Sequence, residues 1–268
     1  MRLFVSGLQK LATRMATLLT FGLLAGLLVL IDLAVATTGG AGGPRQGQGN
    51  ALVLITFPGA YDQILRFMLG LGGLFAVIYG AAIAGSEWTW GTLKTAVVRG
   101  ESRSRYLLAT FAAISTVLMI GLLATFVIGV AAAALGATIA GVSLDGIGDG
   151  TVLRALPEHF VRGWVAITAT AALGFAVATL ARSQLAGIGV GIAFYFGETF
   201  AGIFLPDVVK FLPFHLSASA VGAGGGFGPP SAAGPVMSID TALVLVVVWL
   251  VGSLVVAAGF GERAEITG

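Results

Sequence analysis

The feature that most constrains this chain is a very long apolar run from Tyr106 to about Gly141. A helix crosses the hydrocarbon core of a bilayer, about 30 Å thick, with roughly 20 apolar residues. As one helix, this run would measure roughly 50 Å at about 1.5 Å per residue. We therefore predict one membrane crossing that projects past the bilayer, tilts strongly, or breaks near Gly129 or Gly136.

The composition places the rest of the chain in a membrane as well. Of the 268 residues, 57% are hydrophobic and only 10% are charged, which is too apolar for a soluble domain of this size. We predict an all-α membrane protein with a single transmembrane domain over residues 1–268. Six crossings are predicted, at about 15–36, 64–85, 106–140, 160–181, 185–205 and 241–260.

The N-terminal residues differ from the crossings, because basic residues lie between apolar residues that are spaced as on one face of a helix. Phe4, Leu8 and Leu11 follow helical spacing, with Lys10 among the basic residues. This pattern predicts an amphipathic interfacial helix over residues 1–14, lying on the cytoplasmic surface. The following run resembles a cleaved signal peptide in its Ala34-Val35-Ala36 sequence, but its length favours an uncleaved first membrane helix.

The distribution of basic residues indicates the orientation of the crossings. Residues 39–50, 142–159 and 206–240 are predicted external loops, the last with at most short helices and with a glycine cluster at 222–228. Residues 182–184 are predicted to form a tight cytoplasmic hairpin. With both termini in the cytoplasm, nine of the 14 Lys and Arg residues lie on the cytoplasmic side and five lie outside. Cytoplasmic loops are normally the richer in Lys and Arg, so this layout is favoured.

The densest polar segment, residues 86–105, lies between the second and third crossings. Ser86 is a plausible N-cap, and Glu87 and Lys94 suit the two ends of a short helix. Within that helix Trp90, Leu93 and Val97 are expected on one face. Such a helix would dock a partner, or its tryptophans would anchor at the lipid headgroups, and the pattern alone leaves both interpretations open.

Two acidic residues, Asp32 and Glu198, fall within the predicted crossings. An ionisable group at membrane depth suggests a functional site, because burying it without a partner is costly. For Glu198 we favour a structural anchor paired with Arg66 or Arg162, and for Asp32 an acid that reaches the membrane interface rather than a proton site. The sequence has no cysteine, and its two histidines, His159 and His215, lie in separate predicted loops, so no metal site is expected.

The polar segment resembles that of the ABC-2 type transporter permeases, the membrane subunits of ATP-binding cassette transporters. The matching residues are Glu87, then Gly91-Thr92-Leu93, then a basic stretch that leads into the third crossing. The N-terminal amphipathic helix, the six crossings, Glu198 late in the fifth crossing and Leu212-Pro213-Phe214 before the last also match, so the resemblance covers nearly the whole chain.

The resemblance implies a permease that pairs with a second permease copy, or a similar permease, and with two ATP-binding subunits. A cytoplasmic coupling helix would dock on the ATPase, and its residues here are Glu87, Trp88, Trp90, Gly91, Thr92, Leu93 and Lys94. The expected location is the plasma membrane of a prokaryote, and the expected direction of transport is export.

The sequence agrees with ATP hydrolysis by a separate subunit, because it contains no phosphate-binding loop motif. ATP would therefore be bound and hydrolysed by the partner, and the chain itself would be neither an enzyme nor the holder of a cofactor. No basic patch with interleaved aromatic residues points to nucleic acid. Two alternatives stay open, a stand-alone channel or secondary transporter, and an intramembrane enzyme that uses Asp32 and Glu198.

Overall fold

The computed structural model of the chain describes residues 2–38, 51–221 and 237–263, and these residues form helices joined by short turns. The glycine-rich stretches predicted as loops at 39–50 and 222–228, with Pro229 and Pro230, lie outside the described residues. Short 3-10 turns occupy Ala51–Ile55 and Asp145–Gly148. The helices are α1 (Arg2–Ala12), α2 (Met15–Thr38), α3 (Gly59–Thr89), α4 (Thr92–Val98), α5 (Arg103–Ala140), α6 (Gly150–Ala181), α7 (Gln184–Phe204), α8 (Pro206–Val209), α9 (Pro213–Ala220) and α10 (Ile239–Arg263).

Six of these helices, α2, α3, α5, α6, α7 and α10, are long and apolar enough to cross a membrane. The predicted all-helical class is therefore confirmed for the described residues, and the six predicted crossings coincide with six helices that make the chain a multi-pass membrane protein by length and composition. The remaining helices are short, and among them α1 packs along α5 while α9 packs against α6 and α10.

Of the three alternatives for the third crossing, a break near Gly129 or Gly136 is excluded, because α5 is one continuous helix of 38 residues. Gly129 and Gly136 are places where α2 approaches α5 closely. A Cβ atom at Gly129 would lie 2.4 Å from Leu28 Cδ2, and one at Gly136 would lie 3.2 Å from the carbonyl oxygen of Asp32. These glycines therefore serve helix packing, as small residues commonly do between membrane helices.

The start of α6 also differs from the prediction, which assigned residues 142–159 to a loop. The carboxylate of Asp149 accepts hydrogen bonds from the backbone N–H groups of Thr151 and Val152, at 2.8 and 3.4 Å. This N-cap starts the helix at Gly150 and carries it through Pro157. The helix is consequently about three turns longer than predicted.

The centre of the bundle is the pair of helices α3 and α6. In the most apolar 18-residue segment of each of these two helices, about 67% of the residues are buried, against 17% in the corresponding segments of α2, α7 and α10. Gly80 and Gly174 allow the close approach, since Cβ atoms there would lie 2.2 Å from the carbonyl oxygen of Ala171 and 2.1 Å from that of Val77. The backbones of α3 and α6 are thus in direct contact.

The bundle has two ends that gather different segments of the chain. At one end, here named the α4 end, a Cβ atom at Gly85 in α3 would lie 2.3 Å from the Cα of Gln184 in α7. At the same end, Ser104 Oγ in α5 donates a 2.6 Å hydrogen bond to the carboxylate of Glu262 in α10. The opposite end, here named the α9 end, holds the two 3-10 turns and α8, and from there α9 extends into the bundle, where a Cβ atom at Gly73 in the middle of α3 would lie 3.4 Å from Phe214 Cδ1.

Candidate functional site

The segment between the second and third crossings folds differently from the prediction. Helix α3 continues through Glu87 and Trp88 to Thr89, so the expected separate helix over residues 87–94 is wrong. Ser86 lies inside α3, where its hydroxyl donates to the carbonyl of Ile83 at 2.8 Å, and is not an N-cap. The chain turns at Gly91, whose φ of 65° favours glycine, and α4 then begins at Thr92.

The carboxylate of Glu87 is the centre of a polar cluster at the α4 end. Its side chain is only 1% exposed. Oε1 accepts a 2.7 Å hydrogen bond from the Lys10 ammonium group, and Oε2 accepts one of 2.6 Å from the Tyr106 hydroxyl and another from the Thr92 hydroxyl. A buried charge is stable only when it is paired and hydrogen-bonded, and here the donors come from α1, α4 and α5. Glu87 therefore joins four helices.

Arg14 adds a second basic group to this cluster from the turn between α1 and α2. One guanidinium nitrogen lies 3.5 Å from Glu87 Oε1, and another donates a 2.9 Å hydrogen bond to the Ser86 hydroxyl. The guanidinium carbon also lies 4.8 Å from the ring centre of Trp90, a distance typical of a cation–π contact. The turn at Gly91 is thereby tied to the N-terminal segment.

The expected apolar face of Trp90, Leu93 and Val97 is absent, because the helix is interrupted between Trp90 and Leu93. Trp90 is 65% exposed, whereas Leu93 is buried against the bundle. The outer surface of this segment is instead formed by Trp90 and by Val98, which is 87% exposed, next to the exposed Arg99. The side chain of Lys94 lies outside the part that the structure describes.

A cavity of about 140 Å³ lies beside the Glu87 carboxylate, between α1, α3 and α5. Its polar lining consists of Ser6, Lys10, Glu87, Tyr106 and Thr110. The volume is enough for a few water molecules, which occupy about 30 Å³ each in the liquid. The Glu87 cluster therefore has space for water molecules beside it.

Glu198 lies at the α9 end and caps a helix. Its two carboxylate oxygens accept hydrogen bonds from the backbone N–H groups of Phe214 and His215, at 3.2 and 2.9 Å, in the first turn of α9. The predicted pairing with Arg66 or Arg162 is wrong, because these residues bind Asp62 and Glu158 one turn away on their own helices. Glu198 thus joins α7 to α9, and its role as a structural anchor stays a prediction.

Asp32 is buried in α2, where a second small apolar cluster includes Val35 and Ile55. Its Oδ2 atom has no hydrogen-bond partner among the described residues. The interpretation of Asp32 as an acid that reaches the membrane interface is therefore wrong. Asp32 and Glu198 contact different elements, the former near α5 and the latter at α9, so they do not form a pair.

The histidines do not form a metal site with other residues in the described part of the chain, where no group of three His, Cys, Asp or Glu side chains lies close enough to share an ion. His159 is in α6 and His215 is in α9. Burial lowers the pKa of the His215 imidazole, because the charged form loses its hydration.

Sequence reasoning does not identify Lys10, Arg14 and Tyr106 as partners of Glu87. Lys10 and Arg14 are four residues apart, a spacing that places side chains on one side of a helix, and this was the available signal. Tyr106 carries no comparable signal, because its first-turn position in α5 becomes meaningful only when α3 and α5 are packed together.

Comparison with known proteins assigns the chain to a family. A family model described as "Protein of unknown function (DUF2705)" matches residues 47–258. The chain belongs to the DUF2705 family. It is also 24% identical over 213 residues to "Uncharacterized protein YhcI" of Bacillus subtilis (strain 168), an alignment that covers 73% of this chain. The aligned region spans 65% of the length of that relative.

The match to the DUF2705 model begins before α3 and ends within α10, so it includes five of the six candidate membrane helices. It also includes Glu87, Tyr106 and all of α4. Neither the family description nor the name of the relative states an activity. The function of this DUF2705 chain therefore has to be argued from its own residues.

Proposed function

We propose that the chain is the permease subunit of an ATP-binding cassette transporter, coupled to a separate subunit that binds and hydrolyses ATP. The chain forms the translocation pathway together with a second copy or a similar permease, in the plasma membrane of a prokaryote, and exports its substrate. The nucleotide belongs to the partner, so the chain carries neither ATPase activity nor a cofactor of its own.

The observation that carries this proposal is the Glu87 cluster with the exposed turn beside it. Trp90 and Val98 present apolar surface at the α4 end, where a protein partner could bury them. The same segment is fastened through Glu87 to α1, α3 and α5. A push on α4 by a partner would therefore reach three other helices through one buried carboxylate, which is what coupling to ATP hydrolysis requires.

The geometry gives less support to an intramembrane enzyme. Such an enzyme needs acid, base or nucleophile side chains that face a common reacting group. Asp32 and Glu198 are attached to different elements, and both oxygens of Glu198 are occupied by the N-terminus of α9. A stand-alone channel or secondary transporter remains the alternative that the experiment below separates from the proposal.

The test compares two substitutions of exposed valines at opposite ends of the bundle. The tagged chain is purified from its native membranes in mild detergent as wild type, as Val98→Glu in α4 and as Val208→Glu in α8. We expect the wild type and Val208→Glu to retain an ATP-binding subunit and vanadate-sensitive ATPase activity. Val98→Glu should lose both, because a charge would be buried at the contact with the partner.

Both valines are exposed, at 87% for Val98 and 55% for Val208, so neither substitution should unfold the bundle. If both variants lose the ATP-binding subunit, the contact with that subunit is not specific to α4. If wild-type chain from its native membranes brings down no ATP-binding subunit at all, the permease proposal fails and a transporter without an ATPase becomes the better reading.

A further inference from the structure

Arg182 occupies an unusual position at the α4 end, in the turn between α6 and α7. Its φ of 50° makes it the one residue other than glycine with a positive φ among the described residues. It is the C-cap of α6, in the left-handed conformation that glycine and asparagine adopt at lower cost than arginine. A turn alone would be better served by either of those residues, so the arginine side chain has a use that offsets the backbone strain.

The contacts of the guanidinium group indicate that use. It lies 5.4 Å from the ring centre of Trp88 in α3 and 5.7 Å from that of Phe260 in α10. Both distances are within the range of cation–π contacts, which favour arginine because its planar guanidinium stacks on aromatic rings. Arg182 therefore bridges the end of α3 and the end of α10 from a turn that belongs to neither.

Each of the two rings is close in sequence to a glutamate that binds further helices. Trp88 directly follows Glu87, the carboxylate that binds α1, α4 and α5. Phe260 is followed two residues later by Glu262, whose backbone carbonyl accepts a 3.2 Å hydrogen bond from Arg103 and whose carboxylate accepts one from Ser104. Arg182 thus joins the α6–α7 turn to the ends of α3 and α10, and α5 is joined to α10 through Glu262.

We propose that Arg182 is a positioning residue that makes the α6–α7 turn move together with the α3–α4 segment. This inference rests on the proposed function, in which α4 receives the movement of the ATPase. The Glu87 cluster passes that movement to α1 and α5, and the stack of Trp88, Arg182 and Phe260 passes it to α6, α7 and α10. The backbone contact between Gly85 in α3 and Gln184 in α7 keeps the two halves of the bundle packed, but without the guanidinium group the α6–α7 turn would follow α4 less closely.

The test measures this connection directly and does not need the ATPase. The sequence has no cysteine, so spin labels can be placed at single introduced cysteines. Val98 and Leu185 are suitable positions, because both are more than 80% exposed and they lie in α4 and in the first turn of α7. The distance distribution between the two labels is recorded by electron paramagnetic resonance, with the full chain in lipid nanodiscs.

The measurement is made with Arg182 and with two variants, so that the effect of the side chain is distinguished from that of the turn conformation. Arg182→Asn keeps a residue that adopts positive φ readily but removes the cation, and Arg182→Lys keeps a cation without the planar stacking group. We expect one narrow distance peak for the arginine form, loss of that peak in Arg182→Asn, and an intermediate width in Arg182→Lys. Thermal unfolding of the Asn variant should match that of the arginine form, because relief of backbone strain offsets the lost contacts.

A narrow peak retained in Arg182→Asn would overturn the inference, whatever the chain transports. Where an ATP-binding subunit co-purifies, Arg182→Asn should retain that subunit but lose transport coupled to ATP hydrolysis. Failure of the proposed function is recognised separately, by the absence of any ATPase from wild-type preparations. Loss of the narrow peak together with normal coupled transport would also overturn the role given to Arg182.

Discussion

Two buried carboxylates fasten the two ends of this molecule by different chemistry. Glu87 binds charged and hydroxyl side chains from three other elements, whereas Glu198 binds only backbone N–H groups of one short helix. A side-chain cluster can exchange partners when helices shift, especially beside a cavity. A carboxylate that caps a helix N-terminus holds a fixed geometry, because the N–H groups cannot rotate away. The α4 end is thus the better candidate for movement.

The first prediction concerns Glu198 and a matched glutamate. Glu198→Gln should destabilise the protein by about 1–3 kcal/mol, because the amide group can accept only one of the two N–H bonds and leaves the other donor unsatisfied. The control is Glu158→Gln, which breaks an exposed pair with Arg162 on α6 and should cost at most about 1 kcal/mol. Chemical unfolding in detergent measures both, and equal effects would refute the capping role.

At the scale of single elements, α6 shows how a local hydrogen bond decides where a helix begins. The pKa of Asp149 is lowered because its carboxylate accepts hydrogen bonds from the hydroxyl and backbone N–H of Thr151 and from the N–H of Val152. A carboxyl group whose pKa is lower in the folded state stabilises the fold above its ordinary pKa, near 4. That contribution is lost as the pH falls below this value.

The second prediction follows from this pH dependence. Amide hydrogen exchange at Thr151 and Val152 should accelerate as the pH is lowered below about 4, relative to other amides of α6 and after correction for the intrinsic exchange rate. Asp149→Asn should retain protection without that pH dependence, because asparagine also caps helices. Asp149→Ala should lose protection at every pH. A wild-type profile that parallels the asparagine variant would contradict the cap.

The third prediction concerns the contact between α3 and α6. Gly80→Ala should destabilise the protein by about 1–3 kcal/mol, because the added methyl group would overlap the carbonyl of Ala171 and force the two helices apart. Gly252→Ala in α10 is the control, since a Cβ atom there meets nothing within 4 Å. Thermal unfolding in the same detergent measures both variants, and similar midpoints for the two would show that the close contact is unimportant.

The sequence predicts the crossings well and their ends poorly, for a physical reason. Apolar runs report the part of a helix that meets lipid, so the six crossings follow from composition. The ends depend on single contacts, such as the Asp149 cap and the left-handed Gly91, and on partners distant in sequence. Glu87 illustrates the same limit, since the segment around it is recognisable in the sequence but its burial under Lys10 and Tyr106 depends on packing.

At the scale of the whole molecule, we expect the α4 end and the α9 end on opposite sides of a membrane, because long apolar helices connect them. The basic residues of the α4 end predict that this side faces the cytoplasm. The fourth prediction tests this with Val98→Cys and Val208→Cys in the cysteine-free chain. In intact cells, a membrane-impermeant maleimide should label only the cysteine at 208, and after lysis it should label both. Labelling of both positions in intact cells would contradict the layout of six crossings.

The unequal burial of the crossings has a consequence for how the protein depends on its lipids. Helices α2, α7 and α10 offer most of their surface to whatever surrounds the bundle, whereas α3 and α6 are enclosed. Acyl chains or a second copy therefore act as structural neighbours of three of the six crossings. Stripping away annular lipid should loosen those peripheral helices first and leave the glycine-packed pair intact, so the choice of detergent will decide which state of the protein is purified.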